Sequence, residues 1–231
     1  MNILETHEIF EMEILEKLKN SRLLDAVVFG GGTMLRLCHD MKRYSMDLDF
    51  WRVKDIPATI LLKKLNELLR RDYEITDSQI KHFSILVEIR SRNFPKRLKI
   101  EIRKEIRDWD IENKIAYSKY SAKQVLLKVH TLEQSMKNKT AALLSRREIR
   151  DAFDMEFLMR RGGGLPKLPA KKARDLISII DGFTMRDFKV KLGSVLEADM
   201  RSYYVQNRFA LLRQKLTAGP AGPGGPVDDL S

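Results

Sequence analysis

The chain has a single cysteine in 231 residues, Cys38. An internal disulfide is therefore excluded, and no Cys/His cluster with zinc spacing exists. Cys38 reads as a small buried hydrophobe on a short helix. Long apolar runs are missing as well, and nothing approaches the roughly 20 residues that a membrane span needs. The opening, MNILETHEIFEMEIL, carries acids and no basic segment, which argues against a secretory signal and makes the cytoplasm the expected location. No internal repeat is visible. Acid is the scarcer charge, with 32 Asp and Glu against 43 Lys and Arg, a net charge of +11 and a pI near 9.7. Such an excess suits a phosphate-rich partner, although solubility alone also accounts for it. The bases crowd residues 96–104 (KRLKIEIRK) and 146–161.

What is present is enough for a proper core. The hydrophobic fraction is 43%, ordinary for a globular protein, and the length allows one large domain or two small ones. The stretch 27–51, VVFGGGTMLRLCHDMKRYSMDLDFW, organises the rest. It reads as strand, glycine turn, short helix, loop and strand. Alternation along the second strand puts Asp47 and Asp49 on one face, with Leu48 and Phe50 on the other. Two acids that close repel unless a cation sits between them, and hard oxygen donors suit Mg²⁺. Gly30, Gly31 and Gly32 let backbone N–H groups approach a phosphate, and a helix starting near Thr33 would favour an anion at its N-terminus. Each half has an ordinary alternative, a plain turn or two solvated acids. In this order and at this separation they are the minimum equipment for nucleotidyl transfer.

Along the rest of the chain, residues 5–20 carry Ile9, Met12, Leu15 and Leu18 at helical spacing. Residues 23–29 read as the first strand. Leu61, Leu62, Leu65, Leu68 and Leu69 stripe a helix over 55–71, with Pro57 in its first turn. A short strand is expected at 73–75. Residues 82–90 and 98–103 alternate as two strands of a hairpin around the turn NFPK. Glu101 then faces the same way as Lys99 and Arg103, either as an exposed strand residue paired with a lysine or as a third acid beside Asp47 and Asp49. Trp109 and Tyr117 lie in a stretch that no pattern places. One more strand is expected at 123–130, then helices over 131–145 and 146–161. In the second of these, Ile149, Phe153, Phe157 and Leu158 are expected inside, and Arg147–Asp151 and Arg150–Asp154 have the spacing of surface ion pairs. GGGLPKLP at 162–169 breaks the pattern and marks a candidate boundary. Helices follow at 171–180, 184–189 and 199–216. Arginines and tyrosines mix in the last one, which suits nucleic acid or core packing equally. The end, AGPAGPGGPVDDLS, is of low complexity and reads as a disordered tail. These elements make an α+β or α/β chain.

Gly31-Gly32-Thr33, Ser45-x-Asp47-Leu48-Asp49-Phe50, an acid at Glu101, and Lys139-Thr-Ala-Ala-Leu-Leu-Ser-Arg146 followed by Arg150-Asp151-x-x-Asp154 together resemble the AbiEii/MenT type of nucleotidyltransferase toxin. That family belongs to the polymerase-β-like nucleotidyltransferase superfamily. The glycines and the Asp-x-Asp are common to the superfamily; the later segment narrows the likeness to this branch. The resemblance covers roughly residues 27–158.

The resemblance implies an α+β fold, a polymerase-β-like core of mixed sheet flanked by helices, with a helical C-terminal region. The expected division is a core at 1–130, helices at 131–217 that complete the active-site cleft, and a disordered tail at 218–231. It implies that Gly31, Gly32 and Thr33 hold a triphosphate, with Ser45, Arg146 and Arg150 also on the nucleotide. Asp47, Asp49 and Glu101 would bind Mg²⁺ or Mn²⁺. Lys139 would contact phosphate and Asp154 would be the further catalytic acid, with Arg150 and Asp151 in support; whether Asp151 or Asp154 faces the site stays open. The implied activity is transfer of nucleotides from an NTP to an RNA 3′ end, most readily a tRNA acceptor stem, which blocks translation. The implied setting is a toxin–antitoxin or phage-defence pair with an antitoxin encoded nearby. Transfer to a protein side chain, or a non-catalytic nucleotide- or RNA-binding module of the same fold, are the alternatives.

Overall fold

A computed structural model describes residues 1–218; the low-complexity tail from residue 219 onward lies outside the described residues. The chain divides into two compact units. The first comprises Met1–Ser135 with Val195–Glu197, the second Met136–Ser194 with the chain from Ala198 on. The glycine–proline segment at 162–169 lies inside the second unit and separates two of its helices rather than the two units.

The first unit is built on a seven-stranded mixed sheet. Its strands are β1 (Val27–Gly30), β2 (Asp47–Arg52), β3 (Glu74–Ile80), β4 (Ser84–Arg90), β5 (Leu98–Ile106), β6 (Ile111–Tyr117) and β7 (Gln124–His130). They lie in the order β3-β4-β5-β2-β1-β7-β6. The pairs β2–β5 and β1–β7 are parallel, and the other neighbours are antiparallel. Leu48, Phe50, Ile85, Val87, Ile100 and Ile102 form the buried face. On β2 and β5 these alternate with Asp47, Asp49, Lys99, Glu101 and Arg103, so the pleat sends them to one side and the acids to the other.

Three helices accompany this sheet. Helix α1 (Ile3–Asn20) starts at a capping box, in which Asn2 Oδ1 accepts from the Leu4 and Glu5 N–H groups and Glu5 accepts from the Asn2 N–H. Such a cap is worth about 1 kcal/mol. Helix α2 (Gly31–His39) follows the glycine turn, and α3 (Ala58–Leu69) buries Leu61, Leu65 and Leu69. Leu18 of α1 and Leu61 and Leu65 of α3 border one small apolar void with Phe50, Ile100 and Ile102, so both helices cover the apolar face. A buried salt-bridge network ties α1 to α2. Arg36 Nε donates to Glu8 at 2.6 Å, and its Nη1 donates to the Met41 carbonyl at 2.9 Å and to Glu197 at 2.8 Å. Residues 195–197 join the first unit through an antiparallel bridge between Arg43 and Leu196, with the Tyr44 N–H donating to the Val195 carbonyl and the Glu197 N–H to the Lys42 carbonyl.

The second unit is helical. It contains most of α4 (Leu132–Arg146), then α5 (Ile149–Arg160), α6 (Ala170–Asp181), a π-helical turn at Asp187–Leu192, α7 (Ala198–Asn207) and α8 (Ala210–Ala218). Phe153, Phe188, Tyr204 and Phe209 form its aromatic core. Tyr204 and Phe209 are therefore packing residues. The single helix expected over 199–216 is broken where Arg208 takes a left-handed φ of 49°. Phe157, expected inside, is only half-buried. Among the described residues, no helix is long and apolar enough to cross a membrane. Cys38 is half-buried on α2, and burial pushes its thiol up to about 12, so it is an unreactive group.

Candidate active site

The three glycines have three different structural reasons. Gly30 ends β1 directly opposite Asp49 of β2. A methyl group on Gly30 would lie 2.6 Å from the Trp51 ring and 2.8 Å from His130 Nδ1. Gly31 has φ +75°, and a methyl group there would lie 2.4 Å from Asp49 Oδ2. Gly32 is hemmed differently, with Arg43 Nη2 at 2.4 Å and Ser45 Oγ at 2.9 Å from the same imagined position. The turn is therefore narrow because side chains from the following loop and strand close over it. Helix α2 begins there without a side-chain cap, so its first N–H groups are oriented as an anion site is.

Alanine at Gly31 must both adopt a left-handed backbone and displace Asp49. We expect Gly31→Ala to cost about 1–3 kcal/mol of stability and to remove activity. Gly32→Ala strains no dihedral and should leave the melting temperature nearer the parent. Thermal melts of the two variants check this ranking.

Asp47 and Asp49 occupy one face of β2, as alternation requires. Parallel pairing with β5 sets Asp49 beside Glu101 and Asp47 beside Lys99. Lys99 Nζ lies 2.8 Å from Asp47 Oδ2, and Arg103 Nη1 lies 3.4 Å from Glu101 Oε1. The Asp47 side chain is 43% exposed and that of Glu101 18%, so both are reachable from solvent. Burial works to lower the Lys99 ammonium, but the carboxylates of Asp47, Asp49 and Glu101 hold it above its ordinary value. Among the described residues, no group of three or more His, Cys, Asp or Glu side chains is placed to hold a metal ion. The donor set nonetheless suits a divalent cation. Two hard carboxylates share a face, a third stands in register, and the missing Cβ of Gly31 keeps the flank of Asp49 clear.

Behind this face the support is buried. Thr33 Oγ1 donates to the Asp47 carbonyl at 2.7 Å, and His7 Nε2 bonds the Met46 carbonyl at 3.1 Å. Glu11 lies between them, 3.5 Å from Thr33 Oγ1 and 3.8 Å from His7 Nε2. Burial, with Glu8 and Asp47 close by, pushes the Glu11 carboxyl well above the usual range. The Thr33 hydroxyl thus fixes the start of the acid-bearing strand.

The second unit carries its own constellation. Lys139 Nζ lies 2.6 Å from Asp154 Oδ2 and 3.5 Å from Asp151 Oδ1. Arg146 grips Asp151 through Nε and Nη2, both at 2.6 Å. Both aspartates are fully buried. The surface pair expected between Arg147 and Asp151 is replaced by the bidentate Arg146 contact, because Arg147 leaves the helical path with φ 55°. Arg150 is exposed on α5. Asp151 and Asp154 both converge on Lys139.

Three contributors escaped the sequence reading: Arg43, Lys99 and the His7–Glu11 pair. Arg43 and Lys99 look like ordinary bases among many; strand register brings Lys99 to Asp47, and the loop after α2 lays Arg43 over Gly32. Glu11 and His7 could have been suspected as polar residues on the inner stripe of α1, beside Leu15 and Leu18.

His130 packs between Trp51 and Trp109, with ring centroids at 4.7 and 5.3 Å. Burial pushes it down to about 4 from an ordinary 6.5. The unfolded chain therefore takes up a proton that the native chain refuses. Stability is complete above pH 6.5 and falls as acid is added down to about pH 4, by about 3 kcal/mol for this group. Melts across that range should show the slope, and His130→Phe should flatten it.

Solved structures share the fold. The chain superposes on a putative nucleotidyltransferase from Helicobacter pylori at 19% identity, covering 91% of this chain and 96% of that one, with a TM-score of 0.55. JHP933 from the same organism matches at 19% identity over 91% and 94%, with a TM-score of 0.54. The fold is that of the nucleotidyltransferases. Within that class, the sequence model of the Nucleotidyl transferase AbiEii toxin, Type IV TA system, matches residues 13–183, and the chain belongs to that family. The toxin MenT4 from Mycobacterium tuberculosis H37Rv is also similar, at 17% identity over 89% of this chain and 85% of that one, with a TM-score of 0.49. No curated protein sequence matches the chain.

Proposed function

We propose that this chain transfers a nucleotide from an NTP to an RNA 3′ end, most readily a tRNA acceptor end, and so stops translation in the cytoplasm. The observation that carries the reading is the close approach of Asp49 to Gly31, an acid face set directly against a glycine turn at an uncapped helix start. Asp47, Asp49 and Glu101 would hold Mg²⁺. When bound, Mg²⁺ would neutralise triphosphate charge and help a 3′ hydroxyl act as nucleophile.

The α2 N–H groups, Ser45 and Arg43 bind and orient phosphate oxygens. Lys139, held by Asp151 and Asp154, would be a cation for nucleotide phosphate. The 3′ oxygen forms a bond to the α-phosphorus as the bond to pyrophosphate breaks. RNA is favoured as acceptor by the helical unit, in which 18 Lys and Arg stand against 8 Asp and Glu over residues 136–194 and 198–218. An antitoxin encoded nearby would restrain the activity, and phage defence is one use for it.

The test is incubation with Mg²⁺, each labelled NTP in turn, and total tRNA. Label in RNA supports the reading. Label in protein redirects it to side-chain modification, and no label with any NTP by folded protein overturns it.

A further inference from the structure

The face that carries Asp47 and Asp49 has a third side chain on the same strand, Trp51, which the proposed chemistry does not use. Its indole is partly exposed although two other rings brace it. His130 lies at 4.7 Å with planes 58° apart, and Trp109 meets it edge-on at 6.4 Å. Trp109 is itself pinned, with Nε1 donating to the Arg52 carbonyl at 3.1 Å. The bare Cα of Gly30 admits the Trp51 ring, whose Cζ3 would otherwise lie 2.6 Å from a methyl group. Gly30 pairs with Asp49, so the indole leans back along the sheet toward the turn where Gly31 meets that acid. On the other flank, Arg103 is the register partner of Trp51, is 42% exposed and is tethered to Glu101.

A ring needed only for the core would be closed over on all sides. Trp51 is instead held rigid by its neighbours and left partly open, one alternation along the strand (roughly 7 Å) from Asp49. We infer that Trp51 is the stacking platform for a nucleobase at this site, an inference that rests on the site handling nucleotides. A pre-fixed indole loses little freedom when a base settles on it. Stacking also accepts any base, because every base has a π-face. The base belongs either to the NTP or to the terminal nucleotide of the acceptor.

The experiment compares the full-length protein with Trp51→Ala, Trp51→Leu and Trp51→Phe. Leucine fills the space without a π-face and keeps the test valid if alanine disturbs folding. Binding in Mg²⁺ is measured for each of the four NTPs, for inorganic tripolyphosphate and for a single-stranded oligoribonucleotide. In the leucine variant, NTP affinity should fall about tenfold with tripolyphosphate affinity unchanged, and phenylalanine should restore most of the loss. In turnover the change should appear in KM more than in kcat. If oligonucleotide affinity falls while NTP affinity holds, the platform serves the acceptor's base, and the inference stands. Unchanged affinity for both, or an equal loss for tripolyphosphate, overturns it. Wild-type protein that binds neither NTP nor tripolyphosphate overturns the nucleotide reading itself, which separates the two failures.

Discussion

Asp49→Asn should abolish nucleotide transfer while leaving the melting temperature within a few degrees of the parent. Asparagine keeps the shape of the side chain but cannot offer a charged oxygen to a divalent cation. Metal-assisted charge stabilisation is worth several kcal/mol, so the loss in kcat should be about a thousandfold or more. The fold, by contrast, gains from the change as much as it loses. Asp49 stands in register with Glu101 and on the same face as Asp47, and removing one of three neighbouring negative charges relieves repulsion. Labelled-NTP incorporation and a thermal melt on the same preparation decide the matter. Activity within tenfold of the parent would show that Asp49 is not part of the centre. Loss of activity together with a collapse of the melt would show that its role is structural.

Much of this centre could be read before folding. Asp47 and Asp49 share a face because strands alternate, and Leu98, Ile100 and Ile102 fixed the phase that turned Glu101 outward. What alternation could not supply was the pairing of β2 with β5, which sets Glu101 next to Asp49 rather than elsewhere on the sheet. The unplaced stretch around Tyr117 proved to be β6, an edge strand. Its Ile115 and Tyr117 are more than half exposed while Ala116 is buried, so the apolar pattern points away from the core and periodicity misleads there. The break at Arg208 had no Gly or Pro to announce it. The Gly-Pro run at 162–169 was a conspicuous local breaker, yet compact units are defined by packing, and residues 195–197 rejoin the sheet unit through the bridge between Arg43 and Leu196. The glycine turn was legible as a turn, but the reason for each glycine was not. Those reasons lie in Trp51, Asp49 and Arg43, side chains brought to the turn by the loop and strand that follow it.

Lys139 is where catalysis and stability should separate. Two fully buried aspartates converge on its ammonium, and Arg146 also holds Asp151, from a side chain that is itself 55% exposed. Lys139→Met keeps the length and the apolar stem but removes the cation that Asp154 meets at 2.6 Å. Breaking a buried pair from one side costs about 3–5 kcal/mol, because the buried carboxylate loses the cation that offset its lost solvation. For a chain of this size that is a fall of about 10 °C in melting temperature. The double variant Lys139→Met/Asp154→Asn removes the stranded charge along with its partner. It should recover most of the lost stability, since replacing both members of a buried pair is often near neutral. It should recover none of the transfer activity, because the Lys139 cation of the proposed reaction is gone. A double variant as unstable as the single one would mean that Lys139 acts through packing alone. A double variant that regained turnover would remove Lys139 from the reaction.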